Sequence, residues 1–310
     1  MNRPESKPCS RDAVPTDERE YPRDYHRLGA DSVVAILPRQ SPAPAGRRFQ
    51  SLRALARRVA SEPVLPVAAL IFHCSRCGST LLARLLEHDP GNRVFAEPEA
   101  LPRFFAAHAE ALARGEDAAE LGAFIHAFGL APAPHERHLI VKLTSRAIRY
   151  LPGFRAAFPD VPFVYLFRDP VEVVASLCAN PPTFLRDDQR AAVAAELHPC
   201  PPEVARFSAV HWFAWYVDRN LRLGLQHRTR FGEVIDYSGH VTEYVDFARR
   251  LGRGRREIDS LEAALIFGRH SKNPGIVFTP ANAPVLGQEQ RDLVTAIAGE
   301  AFRLWRRAAK

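Results

Sequence analysis

From residue 66 onward, short apolar runs without alternation are separated by longer stretches in which apolar positions recur at helical spacing. The runs at 67–73, 93–96, 138–144 and 161–167 have strand length; the stretches at 79–88, 99 to about 129, 145–158 and 171–179 read as helices. Strands that are apolar on both faces and alternate with helices predict a parallel sheet covered on both sides. Such sheets bind ligands at the carboxyl ends of their strands. Further on, 180–202 contains five prolines and reads as a loop or lid, and 203–226 as a long helix. A strand entering a helix is expected at 232–240, helices at 244–251, 257–267 and 289–307, and a loop at 268–275. Upstream the pattern is weaker: a polar, Pro-rich mobile tail to about 24, a short strand at 33–37, a linker, and a basic amphipathic helix at 49–60. The division expected is an N-terminal tail and small appendage over 1–60 and an α/β domain over 61–310.

Two strand ends carry matching chemistry. The first runs through Phe72-His73-Cys74-Ser75-Arg76-Cys77-Gly78-Ser79-Thr80-Leu81. Helix N-termini present amides without intrahelical partners and the positive end of the helix dipole, so this turn suits an anion. Gly78 permits close backbone approach, Ser79 and Thr80 add hydroxyls, and Arg76 adds a fixed cationic fork. It is not a Walker A loop, because Gly-x-x-x-x-Gly-Lys-Ser/Thr is missing. The second strand ends in Arg168-Asp169-Pro170, with Ser176 eight residues after Arg168. Asp169 and Pro170 suit a helix start, and Arg168 with Ser176 suits a second phosphate. Two anion clamps on one sheet edge imply a ligand bearing phosphate at two places.

Together these segments resemble the sulfotransferases that use 3'-phosphoadenosine 5'-phosphosulfate (PAPS). Ser75 to Leu82 is similar to their 5'-phosphosulfate loop, and "FRDPVEVVAS" to their 3'-phosphate motif. "EVIDYSGHVTEYVDFARRLG" resembles a later family segment, and the similarity spans roughly residues 66 to 275 in order. It implies a P-loop-like three-layer α/β fold with a central parallel sheet, PAPS as donor, PAP as product, and no metal. It also implies cofactor contacts from Arg76, Cys77, Gly78, Ser79, Thr80, Leu81, Arg168 and Ser176. Cys77 departs from the Ser usual in that loop. The C-terminal Gly-x-x-Gly-x-x-Lys loop is absent, so Arg269 and Lys272 in "RHSKNPG" become the candidates for its contact with the 3'-phosphate.

For catalysis the resemblance points to Glu97, twenty-one residues after Arg76, as the base, with Glu99 as the fallback. The spacing is similar to that in tyrosylprotein and several bacterial sulfotransferases. It points to Lys142, at the end of "LIVKLT", as a group assisting transfer, and to Arg76 as a stabiliser of the leaving phosphate. Helix capping by Glu97 and a snorkelling Lys142 are the structural alternatives.

Composition narrows the partners. The chain has 310 residues, 46% hydrophobic and 25% charged, as globular proteins have. Net charge +7 suits an anionic ligand, while the dispersed cations and the lack of a recognisable module argue against nucleic acid. The lysines are only Lys7, Lys142, Lys272 and Lys310, which singles out the two internal ones as sites for a compact ammonium. Five cysteines and a polar first thirty residues predict a cytoplasmic protein with reduced thiols, not associated with a membrane. Cys74-x-x-Cys77 also supports a rival thiol-oxidoreductase reading, since a helix N-terminus lowers a thiol pKa. A zinc site using His198 and Cys200 lacks a second Cys-x-x-Cys. A phosphotransferase and a non-catalytic nucleotide-binding regulator complete the alternatives. The acceptor class, small molecule, peptide or glycan, and the oligomeric state are not specified by any motif.

Overall fold

The computed structural model describes residues 20–28, 31–38, 48–197, 201–237, 246–247, 250, 269–270, 273–277 and 285–308. Its centre is a five-stranded, all-parallel sheet of β4 (Val67–His73), β5 (Asn92–Ala96), β6 (His138–Lys142), β7 (Phe163–Phe167) and β8 (Glu233–Asp236), in the order β5-β6-β4-β7-β8. Leu70 to Phe72, Leu139 to Val141 and Phe163 to Phe167 have no exposed surface, so successive side chains on both faces are covered. This is the predicted α/β class. All five strands point the same way, which gathers the turns after His73, Ala96, Lys142, Phe167 and Asp236 at one edge.

The helices that cover the sheet form two packed groups. One comprises α1 (Leu52–Ser61), α3 (Ala100–Arg114), α4 (Ala118–His126) and α5 (Leu151–Ala157). The other comprises α6 (Pro170–Ala179), α8 (Ala209–Gln226) and the closing helix α9 (Gln288–Ala308). Helix α2 (Ser79–Glu87) follows the first loop and packs on β5. Trp305 of α9 stacks on Tyr165 with centroids 4.5 Å apart, and its indole donates to the Leu221 carbonyl at 2.9 Å. The aromatic stretch of α8 is mostly core: Trp212, Ala214, Tyr216 and Val217 are fully buried.

Several local expectations change. Residues 20 to 24, expected in a tail, begin β1 (Glu20–Leu28), which pairs antiparallel with β2 (Asp31–Pro38), and β2 with β3 (Arg48–Ser51). The ladder with β2 gives this weakly patterned stretch its backbone partners. Strand β1 packs on α3, and α1 on α4. The helix expected over 145–158 divides into a 3-10 segment, Ser145–Tyr150, and α5, because Pro152 lacks the amide that a continuous helix needs and fits only near a helix start. The 203–226 helix begins later, at Ala209, where Ser208 Oγ accepts from the His211 amide at 3.2 Å. Within the expected loop at 180–202, the Ala-rich Arg190–Glu196 forms α7. Arg269–His270 and Asn273–Val277 pair antiparallel where a loop was expected. The helices expected at 244–251 and 257–267 lie outside the described residues, apart from helical 246, 247 and 250.

Candidate active site

Among the described residues, left-handed backbone is concentrated in the loop between β4 and α2. Ser75 (φ 82°), Arg76 (φ 46°) and Gly78 (φ 77°) all adopt left-handed backbone, which costs a non-glycine residue about 1–2 kcal/mol. Glu97 shares this conformation at φ 54°. Of the five described non-glycine residues with positive φ, three are therefore in these two turns, the kind of local strain that accumulates at functional sites. Gly78 is the N-cap of α2 and supplies no side-chain cap, which leaves the first turn open. The Leu81 amide donates to the Gly78 carbonyl at 2.9 Å, so the amides best placed for an anion are those of Gly78, Ser79 and Thr80.

The two anion motifs are joined. Strands β4 and β7 are neighbours, and Arg168 Nη1 donates to the Arg76 carbonyl at 3.3 Å. Arg168 Nε donates to Glu172 at 2.5 Å, and its guanidinium lies over the Tyr237 ring at 4.8 Å, at the end of β8. Asp169 accepts from the Val171 amide at 2.8 Å and Pro170 opens α6, as expected. Arg76 reaches across to donate to the Asn180 carbonyl, and the Asn180 amide donates to the Ser176 carbonyl at 3.2 Å. Half-buried Ser176 thus stands one helical turn before the point where Arg76 is held.

Beyond the loop, Glu97 and Lys142 meet. The Glu97 amide donates to the Lys142 carbonyl at 2.7 Å, and Lys142 Nζ donates to Glu97 Oε1. Lys142 is 3% exposed and Glu97 41%. Burial would raise the Glu97 carboxyl, but hydrogen bonding from His73 and the charge of Lys142 hold it well below the usual carboxylate range. His73, 4% exposed, accepts from the Ser75 amide at Nδ1 (3.0 Å), while its Nε2 faces the Leu143 carbonyl at 2.9 Å and Glu97 Oε1 at 3.4 Å. His73 therefore touches both the loop and the carboxylate, and its place as the last residue of β4 is the sequence signal that points to it.

Cys74 and Cys77 form no disulfide and are fully buried. The Cys77 thiol donates to the Leu166 carbonyl at 3.4 Å, pointing into the sheet, so any contact from Cys77 to an anion would come from its backbone. Arg269 lies in its two-residue strand, and Lys272, His198 and Cys200 lie outside the described residues. Among the described residues no group of three or more His, Cys, Asp or Glu could hold a metal ion, and no helix is long and apolar enough to cross a membrane.

A parallel α/β sheet thus carries two linked cationic turns at its carboxyl edge. Residues 69–198, which carry both turns, Glu97 and Lys142, match the family model described as the sulfotransferase family. No curated protein matches the chain. Similar solved structures include sulfotransferase STF9 from Mycobacterium avium, 15% identical over 79% of each chain with a TM-score of 0.40. A sulfotransferase from Alicyclobacillus acidocaldarius is 16% identical over 79% of this chain and 96% of its own, TM-score 0.39. Retinol dehydratase in a complex with retinol and PAP is 13% identical over 93% and 96%, TM-score 0.34.

Proposed function

We propose that this protein transfers the sulfuryl group of PAPS to an acceptor hydroxyl, phenol or amine, with PAP as the second product. The observation that carries this reading is the hydrogen bond joining Arg168 to the Arg76 carbonyl, because it sets two anion-binding turns side by side. A cradle with left-handed Ser75, Arg76 and Gly78, an open helix N-terminus and two arginines fits a ligand with phosphates at both ends.

In this reading Arg76, the Gly78 to Thr80 amides and the Ser79 and Thr80 hydroxyls hold the 5'-phosphosulfate. Cys77 and Leu81 form the frame of that turn. Arg168 and Ser176 hold the 3'-phosphate, and Arg269 and Lys272 are the further candidates for it. PAPS supplies an activated sulfuryl group, which carries less charge than a phosphoryl group and needs no metal. Arg76 and the helix amides stabilise negative charge that grows on the departing phosphate. Glu97 takes the acceptor proton. Its pairing with Lys142 makes it a poor base at rest, so attraction of Lys142 Nζ toward a sulfonate oxygen would free the carboxylate when the donor is in place. The acceptor is a small molecule, peptide or glycan, and the cysteine usage supports a cytoplasmic setting.

Titration with PAP followed by an acceptor screen with labelled PAPS tests the proposal. Arg76→Ala and Arg168→Ala should each weaken PAP binding by about 10- to 100-fold, and Glu97→Gln should spare binding but remove turnover. Equal PAP affinity in all variants would overturn the assignments, and a preference for ATP with Mg²⁺ would make the protein a phosphotransferase.

A further inference from the structure

His73 is a buried titratable group that the transfer step does not use. Its ring lies between the two parts of the site that must agree in position. On one side Nδ1 accepts from the Ser75 amide at 3.0 Å, at the first of the left-handed residues that aim Arg76 and open α2. An acceptor Nδ1 places the proton of the neutral ring on Nε2. On the other side that Nε2–H points at the Leu143 carbonyl, 2.9 Å away, directly after Lys142, and at Glu97 Oε1, 3.4 Å away. One ring thereby touches the loop after β4, the residue after β6 and the carboxylate that follows β5.

We infer that His73 is a positioning residue that registers the anion loop against Glu97: Nδ1 holds the Ser75–Arg76 turn in its left-handed form, and Nε2–H orients the Glu97 carboxylate. This rests on the sulfuryl-transfer reading and adds a distinct claim, that each ring nitrogen serves a different half of the reaction. A purely structural histidine would be felt equally by binding and turnover. Here the two should separate, because Ser75 and Arg76 govern donor binding whereas Glu97 governs proton removal.

Two uncharged variants divide the ring. In His73→Asn the amide oxygen falls near the position of Nδ1 and keeps an acceptor for Ser75, while the reach to Glu97 is lost. In His73→Gln the longer side chain brings a donor near the position of Nε2 and loses the close acceptor. With wild type as reference, PAP affinity is measured by calorimetry, and turnover as label passing from PAPS at saturation to water or to the acceptor that the screen returns. His73→Asn should bind PAP within about twofold of wild type and turn over about tenfold more slowly; His73→Gln should bind PAP about tenfold more weakly and turn over within about threefold. Parallel loss of both properties in both variants, or retention of both, overturns the inference. If neither variant folds, ¹⁵N NMR of the wild-type ring decides. An unprotonated Nδ1 whose signal shifts with PAP supports the assignment, and a protonated Nδ1 overturns it. Wild type that neither binds PAP nor transfers label defeats the sulfuryl-transfer reading itself, an outcome separate from the variant results.

Discussion

Glu97 is bound twice to Lys142: its amide donates to the Lys142 carbonyl at 2.7 Å, and its carboxylate accepts from Lys142 Nζ. The backbone bond extends the pairing of β5 with β6, in which Ala96 faces Lys142, by one residue beyond the sheet. It fixes a left-handed Glu97 at the strand end, so the side chain turns back toward its neighbour instead of continuing the pleat. The pair is lopsided, with a buried ammonium and a partly wet carboxylate. That asymmetry decides how the two halves respond to substitution.

Removing the carboxylate strands a buried charge, whereas removing the ammonium leaves a carboxylate that water can solvate. Glu97→Gln should therefore cost about 1–2 kcal/mol, discounted from fully buried pairs for the exposed side of Glu97, and Lys142→Met should cost less. Urea unfolding of the two variants checks the order. The larger loss falling on Lys142→Met would contradict the geometry.

The same pair gives a pH signature. The folded Glu97 carboxyl lies below its unfolded value of about 4.3, so below neutral pH the folded state binds fewer protons than the unfolded chain. Its contribution is complete above about pH 5 and is lost as acid titrates the carboxyl toward its folded value. The stability difference between wild type and Glu97→Gln should accordingly shrink between about pH 5 and pH 3 in thermal melts, and a difference that grows on acidification would reverse the sign.

Much of this was legible in the chain, and for definite reasons. Apolar runs at 67–73 and 161–167 carried their strand identity because both faces of those strands are covered, so nothing polar interrupts them. Glu97 and Lys142 were separately visible as strand-end residues. Their pairing was not, because sheet order is set by crossovers: β6 enters between β4 and β5, which places Lys142 beside Ala96. Cys77 shows the opposite failure. Its position in the loop suggested contact with a ligand, but left-handed Arg76 and Gly78 on either side turn its thiol under the loop toward Leu166. The β1 ladder was illegible since the polar sequence around it suggests a tail and its backbone partner lies in β2.

From the sequence, alkylation of Cys77 should block cofactor binding and PAP should protect it. With both loop thiols at zero exposure, the expectation changes. Burial pushes the Cys74 thiol up, while for Cys77 burial is outweighed by hydrogen bonds from Cys74 and His73 that pull its thiol down, so exclusion of the reagent from the buried site is what slows modification of Cys77. Iodoacetamide should modify Cys74 and Cys77 slowly in the folded protein with or without PAP, as peptide mass mapping would show, and Cys74→Ser/Cys77→Ser should still bind PAP. Rapid modification of either thiol, or a catalytic cystine between them, would instead favour the oxidoreductase.

A buried ion pair lies remote from the chemistry. Arg93, near the start of β5 and 1% exposed, donates from Nε to Glu136 Oε1 at 3.1 Å and from Nη2 to Oε2 at 2.5 Å. Its other donors reach the carbonyls of Phe128 at 3.1 Å, Leu130 at 2.7 Å and Ala131 at 3.2 Å. Glu136 Oε2 also accepts from the Ala133 amide at 2.7 Å. The planar fork therefore ties the 128–136 connection to the sheet edge, a task that a lysine's single ammonium cannot copy. Glu136→Gln leaves a guanidinium buried without its counter-charge and should cost about 3–5 kcal/mol, while Arg93→Lys should also destabilise because only one or two of these acceptors can be served. Both residues belong to the opposite ends of the strands from Arg76 and Arg168, so PAP affinity of the folded fraction should stay within about twofold of wild type. Denaturant unfolding with parallel PAP titration separates the two effects, and a Glu136→Gln protein of unchanged midpoint would show that this buried pair does not hold the connection.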